Sequence, residues 1–223
     1  VDKYPSVNLS VSPDSTGVCA GDSVQLSASG ANTYVWTPGT GLSDDSIANP
    51  VAGPTSTQNY TVIGNNTYNC PDTAEVTVTV NPYPTANAGA DTSICRGDSA
   101  QLVAGVGYAD YSWNPSSNLS SPNSRVTNAG PTTTTDYIVT VTSAEGCSSK
   151  DTVQVQVDSI PAPTVNDPSV CLGDSVKLKA TGGDSYSWSN GETGSSILVS
   201  PPDTSNFIVE AFYTNGCSAK DTS

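Results

Sequence analysis

The chain has 223 residues, 21 of them Asp or Glu against 7 Lys or Arg, for a formal charge of −14, and it has neither His nor Met. The length suits two or three small domains rather than one large catalytic core. The missing imidazole removes the usual general base and neutral metal ligand, and the acidity argues against nucleic acid, whose phosphates need a basic surface.

In chain order, Val1-Asp-Lys-Tyr-Pro5 matches Val80-Asn-Pro-Tyr-Pro84 further on. Residues 1–5 therefore read as the end of a preceding repeat and its linker. Cys-Ala-Gly-Asp-Ser-Val-Gln-Leu follows from Cys19, Cys-Arg-Gly-Asp-Ser-Ala-Gln-Leu from Cys95 and Cys-Leu-Gly-Asp-Ser-Val-Lys-Leu from Cys171, a period of 76 residues both times. Each copy then carries Tyr-x-Trp (Tyr34 and Trp36, Tyr111 and Trp113, Tyr186 and Trp188). An aromatic residue next opens an apolar run (Tyr60, Tyr137, Phe207), and a second cysteine lies ten residues beyond it (Cys70, Cys147, Cys217). Asp-Thr comes next, at Asp72, Asp151 and Asp221. A period this long suits an independent small domain rather than a solenoid turn.

Within each copy the apolar residues alternate with period two: Val24, Leu26 and Ala28; Val76, Val78 and Val80; Tyr137, Val139 and Val141; Val153, Val155 and Val157. Such runs, separated by Gly, Pro, Asn and Asp clusters, predict half-buried strands and turns. The expected fold is all-β, a tandem array of β-sandwiches. The expected boundaries are 6–82, 83–159 and 160–223, the last copy lacking its final strand. Pro-rich segments, Val80-Asn-Pro-Tyr-Pro84 and Val157-Asp-Ser-Ile-Pro-Ala-Pro163, read as short semi-rigid linkers. Both ends fall inside repeats, as expected of a window on a longer array. Alternatively, a neighbouring subunit supplies the missing strand. No run approaches 18 consecutive apolar residues, so no membrane insertion is expected.

Taken together, Cys-x-Gly-Asp-Ser-Val-x-Leu, Tyr-x-Trp-x-Pro, Leu42-Ser43 with Asn49-Pro50, the Thr run ending at Asp136-Tyr137, and Gly146-Cys147 resemble the PKD-like, Ig-like repeats of very large Bacteroidetes surface proteins. These include gliding-adhesin-like and hook- or filament-like proteins exported by type IX secretion. The third copy departs from the pattern, with Asn190-Gly191 near the place of Pro38 and Pro115 and a shorter middle. The resemblance implies an extracellular, cell-surface location and a structural role: a stiff stalk or assembly module in an adhesin or filament. The alternative is a module that itself binds a glycan or surface. The implied partners are further copies of the repeat in a longer chain and parallel chains in a homo-oligomeric filament.

In an exported chain, two cysteines per repeat at fixed places read as disulfides, and no Cys-x-x-Cys or His supports a metal site. Pairing within repeats would join Cys19 to Cys70, Cys95 to Cys147 and Cys171 to Cys217, each closing a loop whose constraint contributes roughly 4 kcal/mol. One tension accompanies this. In simple Ig wiring the turn holding the first cysteine and the hairpin holding the second sit at opposite ends, so either the wiring or the pairing differs. The recurrence of both cysteines in every copy favours pairing within repeats.

Gly21-Asp22, Gly97-Asp98 and Gly173-Asp174 read as structural turns, with Gly supplying an unusual φ and Asp bonding nearby amides. This outweighs the integrin-type tripeptide spelled by Arg96-Gly97-Asp98. Trp36, Trp113 and Trp188 read as core residues rather than sugar platforms. Asp44-Asp45 has no counterpart in the other copies and makes a poor carboxylate pair, so no enzyme is expected. No cofactor is expected, calcium at the junctions near Asp158 and Asp167 being the one candidate. Ser23, Ser46, Thr73, Ser99, Thr152, Ser159 and Ser175 each follow Asp in a pattern resembling a Bacteroidetes O-glycosylation sequon, although several also occupy turns and strand starts.

Overall fold

The computed structural model describes residues 4–223. The expectation placed on Val1, Asp2 and Lys3, as the end of a preceding repeat, lies outside the described residues. Among the described residues there is no helix, and so none long and apolar enough to cross a membrane. Twenty short strands are joined by turns. Those of the first copy are β1 (Ser10–Ser12), β2 (Ser15–Cys19), β3 (Val24–Gln25), β4 (Ser27–Ser29), β5 (Thr33–Thr37), β6 (Val51–Ala52), β7 (Gln58–Asn65) and β8 (Pro71–Asn81). The second copy has β9 (Thr92–Cys95), β10 (Ala100–Val103), β11 (Asp110–Asn114), β12 (Val126–Ala129), β13 (Thr135–Thr142) and β14 (Ser148–Asp158). The third has β15 (Thr164–Val165), β16 (Val176–Thr181), β17 (Ser185–Trp188), β18 (Ser196–Val199), β19 (Ile208–Phe212) and β20 (Ser218–Thr222).

These strands pack as two compact units that do not follow the sequence repeats. One comprises the described residues up to Ala86 with Val106–Tyr111 and Thr140–Lys150; the other comprises Asn87–Gly105, Ser112–Val139 and Asp151–Ser223.

In the first unit a sheet in the order β2-β8-β7-β5 lies against the short pairs β1-β4 and β3-β6. β7 and β8 run antiparallel, with Tyr60 opposite Val76 and Val62 opposite Ala74. β2 joins the far edge of β8 in parallel, from Ser15 opposite Thr77 to Cys19 opposite Asn81. The period-two pattern puts alternate side chains on one face, and Leu26, Trp36, Tyr60, Val62, Val76 and Val78 fill the space between the layers.

In the second unit β9 runs parallel to β14, with Thr92 opposite Val155 and Cys95 opposite Asp158. β10 pairs with β12. Two further sheets, β15-β16-β18 and β17-β19-β20, enclose Leu178, Ala180, Trp188, Ile197, Val199 and Val209. β20 pairs with β19 as β8 pairs with β7. No strand pairs with Pro168–Cys171, the stretch matching β2 and β9.

Candidate functional site

The Cys-x-Gly-Asp segment folds identically in all three copies. The N–H of the Asp donates to the carbonyl of the cysteine three residues back: Asp22 to Cys19 at 2.9 Å, Asp98 to Cys95 at 2.9 Å and Asp174 to Cys171 at 3.0 Å. The third residue of such a turn needs a positive φ, and Gly21, Gly97 and Gly173 stand at 92°, 99° and 91°. The Asp main chain closes the turn, where sequence reasoning had assigned bonds to the carboxylate. The Asp22 carboxylate instead accepts from the Tyr83 hydroxyl at 3.5 Å. Arg96 belongs to the same turn and its N–H donates to Asp158 O.

The second cysteines also share one local shape. Asn66 N–H donates to Cys70 O, Ser143 N–H to Cys147 O and Tyr213 N–H to Cys217 O, at 3.3, 2.8 and 2.8 Å. The residue before each cysteine is left-handed: Asn69 at φ 58°, Gly146 at 87° and Gly216 at 87°. Asn is the non-glycine residue that best tolerates this region, which explains why the first copy can depart from Gly-Cys.

The disulfides overturn pairing within repeats. Cys19 bonds Cys147, with Cα atoms 5.7 Å apart, and Cys95 bonds Cys217, at 5.6 Å. Cys70 and Cys171 are free. The turn cysteine of one copy thus joins the hairpin cysteine of the next. The physical reason is strand direction. β2 and β9 run parallel to the last strand of their own copy and place the turn cysteine at the exit of that strand, opposite Asn81 and Asp158. The hairpin cysteine sits at the entry of the same strand, many residues away along it. A disulfide requires Cα atoms within about 7 Å, and only the hairpin of the following copy reaches that exit. The Cys147 sulfur lies 3.9 Å from Asn81 O, at the last residue of β8. Near the other bond, the Asn215 side-chain amide donates to Ser159 O at 3.4 Å. Cys147 and Cys217 are both 1% exposed.

The tryptophans are interior. Trp36, Trp113 and Trp188 are at most 3% exposed, and each indole N–H donates to a carbonyl at 2.9 Å, of Ile47, Ser124 and Gly194 respectively. They offer no face to a sugar. Thr37-Pro38 and Asn114-Pro115 are cis peptides, whereas in the third copy Gly191 N–H donates to Trp188 O instead.

Sequence reasoning noticed the repeated Asp-Thr but missed its use. The Asp72 carboxylate accepts from Leu9 N–H, that of Asp151 from Ala88 N–H and that of Asp221 from Val165 N–H, at 2.9, 2.7 and 2.9 Å. Each carboxylate thereby ties the entering segment of a copy to its last strand. The bonds from Leu9 and then Thr73 hold Asp72 below the usual carboxylate range. The Tyr of Tyr-x-Trp has a partner role: Tyr34 and Tyr186 accept from and donate to the main chain three residues back, at Ala31 and Gly183.

The seven hydroxyl candidates are all exposed. Ser46 donates to Asp44 at 2.6 Å, and the Ser175 and Ser200 hydroxyls are 2.6 Å apart. Asp44 is lowered by those Ser46 bonds; nothing recruits Asp44 and Asp45 into a cleft. Asp158 accepts from the Gln156 amide, and Asp167 lines an open depression in the third copy. Among the described residues no group of three or more Cys, Asp or Glu gathers around a metal-sized space.

No family model and no curated protein matches the chain. Among solved structures, an I-band fragment of titin aligns over 99% of this chain and 98% of its own, with a TM-score of 0.53 at 14% identity. The N-terminal eight Ig domains of Down Syndrome Cell Adhesion Molecule align at a TM-score of 0.43 and 14% identity, over 97% of this chain and 41% of that one. A Ca2+-stabilized adhesin, described as helping an Antarctic bacterium reach out and bind ice, aligns at 0.41 and 14%, over 99% and 73%. The titin likeness establishes an Ig-like fold, and at that identity it carries the fold alone.

Proposed function

We propose that this chain is a non-catalytic spacer, three Ig-like repeats (6–82, 83–159 and 160–223) of an extracellular cell-surface stalk or filament of the Bacteroidetes type IX-exported kind. The observation that carries the reading is the pair of bonds Cys19–Cys147 and Cys95–Cys217. Each closes across a Pro-rich linker, where two tandem modules would otherwise pivot. In the chain-entropy account each loop of more than 100 residues contributes about 5 kcal/mol. Cross-linking over a linker also removes bending freedom, which a stalk needs and a catalytic site does not. Oxidised disulfides accord with the extracellular setting.

The test compares small-angle scattering of the oxidised chain with that of the C19S/C147S and C95S/C217S variants. A stalk locked by these bonds loses its narrow distribution of end-to-end distances in both variants. An unchanged scattering curve would overturn the reading.

The spacer reading extends to assembly. A formal charge of −14 stands against one ion pair among the described residues, Lys220 with Glu210 at 3.5 Å. Unneutralised acids repel parallel copies until salt or divalent cations screen them. We therefore infer a homo-oligomeric filament whose cohesion rises with ionic strength or calcium, with the exposed Asp-Ser and Asp-Thr hydroxyls as acceptors for O-linked glycan. Strictly monomeric sedimentation of a longer array at every salt and calcium level would leave the isolated stalk.

A further inference from the structure

The two disulfides obey one rule: a cysteine of the Cys-x-Gly-Asp turn bonds the hairpin cysteine of the next copy. Applied to all six cysteines, the rule leaves one hairpin cysteine, Cys70, and one turn cysteine, Cys171. These are the two that the structure leaves free.

Each keeps the main-chain hydrogen bond of its bonded counterparts, Asn66 N–H to Cys70 O and Asp174 N–H to Cys171 O, in more open surroundings. The Cys70 hairpin holds the segment that enters the first copy. The Asn66 side-chain amide donates to Pro5 O at 2.8 Å, and Tyr4 stacks on Tyr68 with ring centroids 4.5 Å apart. The Cys217 hairpin likewise holds the linker entering its own copy, through Asn215 and Ser159. Tyr4 and Pro5 thus lie against the Cys70 hairpin. At the other end, Cys171 is exposed at the head of an intact turn, beside Leu172 at 85% exposure and Val170 at 36%. The equivalents of Val170, Val18 and Ile94, are 9% and 8% exposed.

We propose that Cys70 and Cys171 are the two open rungs of a disulfide ladder that joins successive repeats, each taking the opposite type of cysteine from another repeat of this kind. Cys171 takes a hairpin cysteine and Cys70 a turn cysteine. Cys171 of one copy of this chain and Cys70 of a second satisfy each other. Closing a rung forms one S–S bond from two thiols, which release two protons and two electrons. The acceptor is a disulfide oxidant such as oxidised glutathione, itself reduced to two thiols. The inference rests on the tandem-array reading and adds to it a covalent continuity between units.

The test oxidises this chain with glutathione disulfide after unreduced peptide mapping has located Cys19–Cys147 and Cys95–Cys217. Head-to-tail multimers linked Cys70 to Cys171 are expected on non-reducing gels, and they should collapse with reductant. Chain alkylated with iodoacetamide while folded should stay monomeric. A mixture of Cys70→Ser and Cys171→Ser proteins should stop at covalent dimers, at least tenfold more abundant than in either variant alone. Equal dimer in the single variants, or glutathione adducts in place of cross-links, would overturn the ladder. In the unreduced natural protein, mapping shows whether the partner peptide is another repeat of the same polypeptide, which leaves its gel mobility monomeric, or a second copy, which gives covalent multimers. If the cross-link fails while the internal bonds map and the scattering test holds, only the ladder is lost. If the internal bonds themselves do not map, the stalk reading is lost with it.

Discussion

The first two copies and the third carry the same Cys-x-Gly-Asp turn, closed by the same bond, yet they differ in what stands behind it. In the first two, a last strand of eleven residues runs beside the segment leading to the cysteine and covers Val18 and Ile94. In the third, no strand pairs with the stretch before the cysteine, Val170 lies open and the cysteine is free. Local geometry is therefore set by local sequence, the Gly at positive φ and the Asp amide. Burial of the same residues is set by a strand far away in the chain. The turn folds without its cover; the apolar contact and the disulfide need a neighbour.

The largest effect expected of this comparison concerns the element that does not differ. Trp113 and Trp188 are 2% and 3% exposed, so Trp113→Ala and Trp188→Ala should each cost about 3–5 kcal/mol. Urea unfolding followed by circular dichroism measures this. A loss under 1 kcal/mol for Trp188 alone would mean that the third copy is loosely packed throughout, beyond its uncovered edge. The second effect concerns an element that does differ. Cys147→Ser opens a bond and should cost about 2–5 kcal/mol, whereas Cys171→Ser touches a free exposed thiol and should stay within about 0.5 kcal/mol. Comparable losses would contradict the assignment of bonded and free cysteines.

The period-two pattern made the fold class legible. Leu26, Val76, Val78, Tyr137, Val139, Val153 and Val155, all read as inward from alternation, are 0–1% exposed. The turn glycines were legible because a repeated Gly-Asp after a cysteine has few other physical uses. Disulfide connectivity was not, because spacing counts residues along the chain while a bond depends on which end of a sandwich each cysteine reaches. The conflict between Ig wiring and pairing within repeats already contained the answer, and the wiring was the side to keep. The carboxylates of Asp72, Asp151 and Asp221 were visible as a repeat. Their donors lie 63, 63 and 56 residues upstream, where no local pattern reveals them.

A third effect separates copies by crowding. Gly30, Gly107 and Gly182, each six residues before the tryptophan, have φ of 97°, 96° and 87°, so alanine at any of them is strained by about 1–2 kcal/mol. A methyl group at Gly107 meets nothing within 4 Å, but at Gly30 it would stand 2.1 Å from Asn8 O and at Gly182 2.3 Å from Ala162 O. Gly30→Ala and Gly182→Ala should therefore lower the unfolding midpoint further than Gly107→Ala. Equal losses would show that the entering segment yields freely.

A fourth follows from two buried hydroxyls. Tyr60 and Tyr137 are fully buried, their hydroxyls donating to Thr40 O and Ser117 O, and burial pushes both phenols up. The folded state thus holds the proton more tightly than the unfolded chain. Its contribution is complete below about pH 10 and is lost as pH rises from there through the folded value. The third copy has Phe207 at this place and no such loss. Unfolding between pH 9 and 12 should reach the first two copies before the third. Tyr60→Phe should cost about 1 kcal/mol at neutral pH and flatten the alkaline limb.

The smallest effect is at the acid end, in the first copy. Leu9 N–H and Thr73 N–H both donate to the Asp72 carboxylate at 2.9 Å, and these bonds favour the charged form. A carboxyl lowered in the folded state stabilises it above the unfolded value of about 3.9, and that support is lost as pH falls through the lower folded value. The group is reached by solvent, so the effect is modest, but its position gives it structural meaning. It is the tie between the segment entering the copy and the strand leaving it. Asp72→Asn keeps an oxygen for Leu9 and removes the charge that titrates. Urea midpoints of parent and variant should differ at pH 7 and converge as pH falls toward 2, where the parent's tie to Leu9 loses its charge and the variant's has none to lose. Hydrogen exchange at Leu9 N–H reports that loss directly. An acid limb unchanged by the substitution would mean that packing of Leu9 in the core, rather than the carboxylate, holds the segment in place.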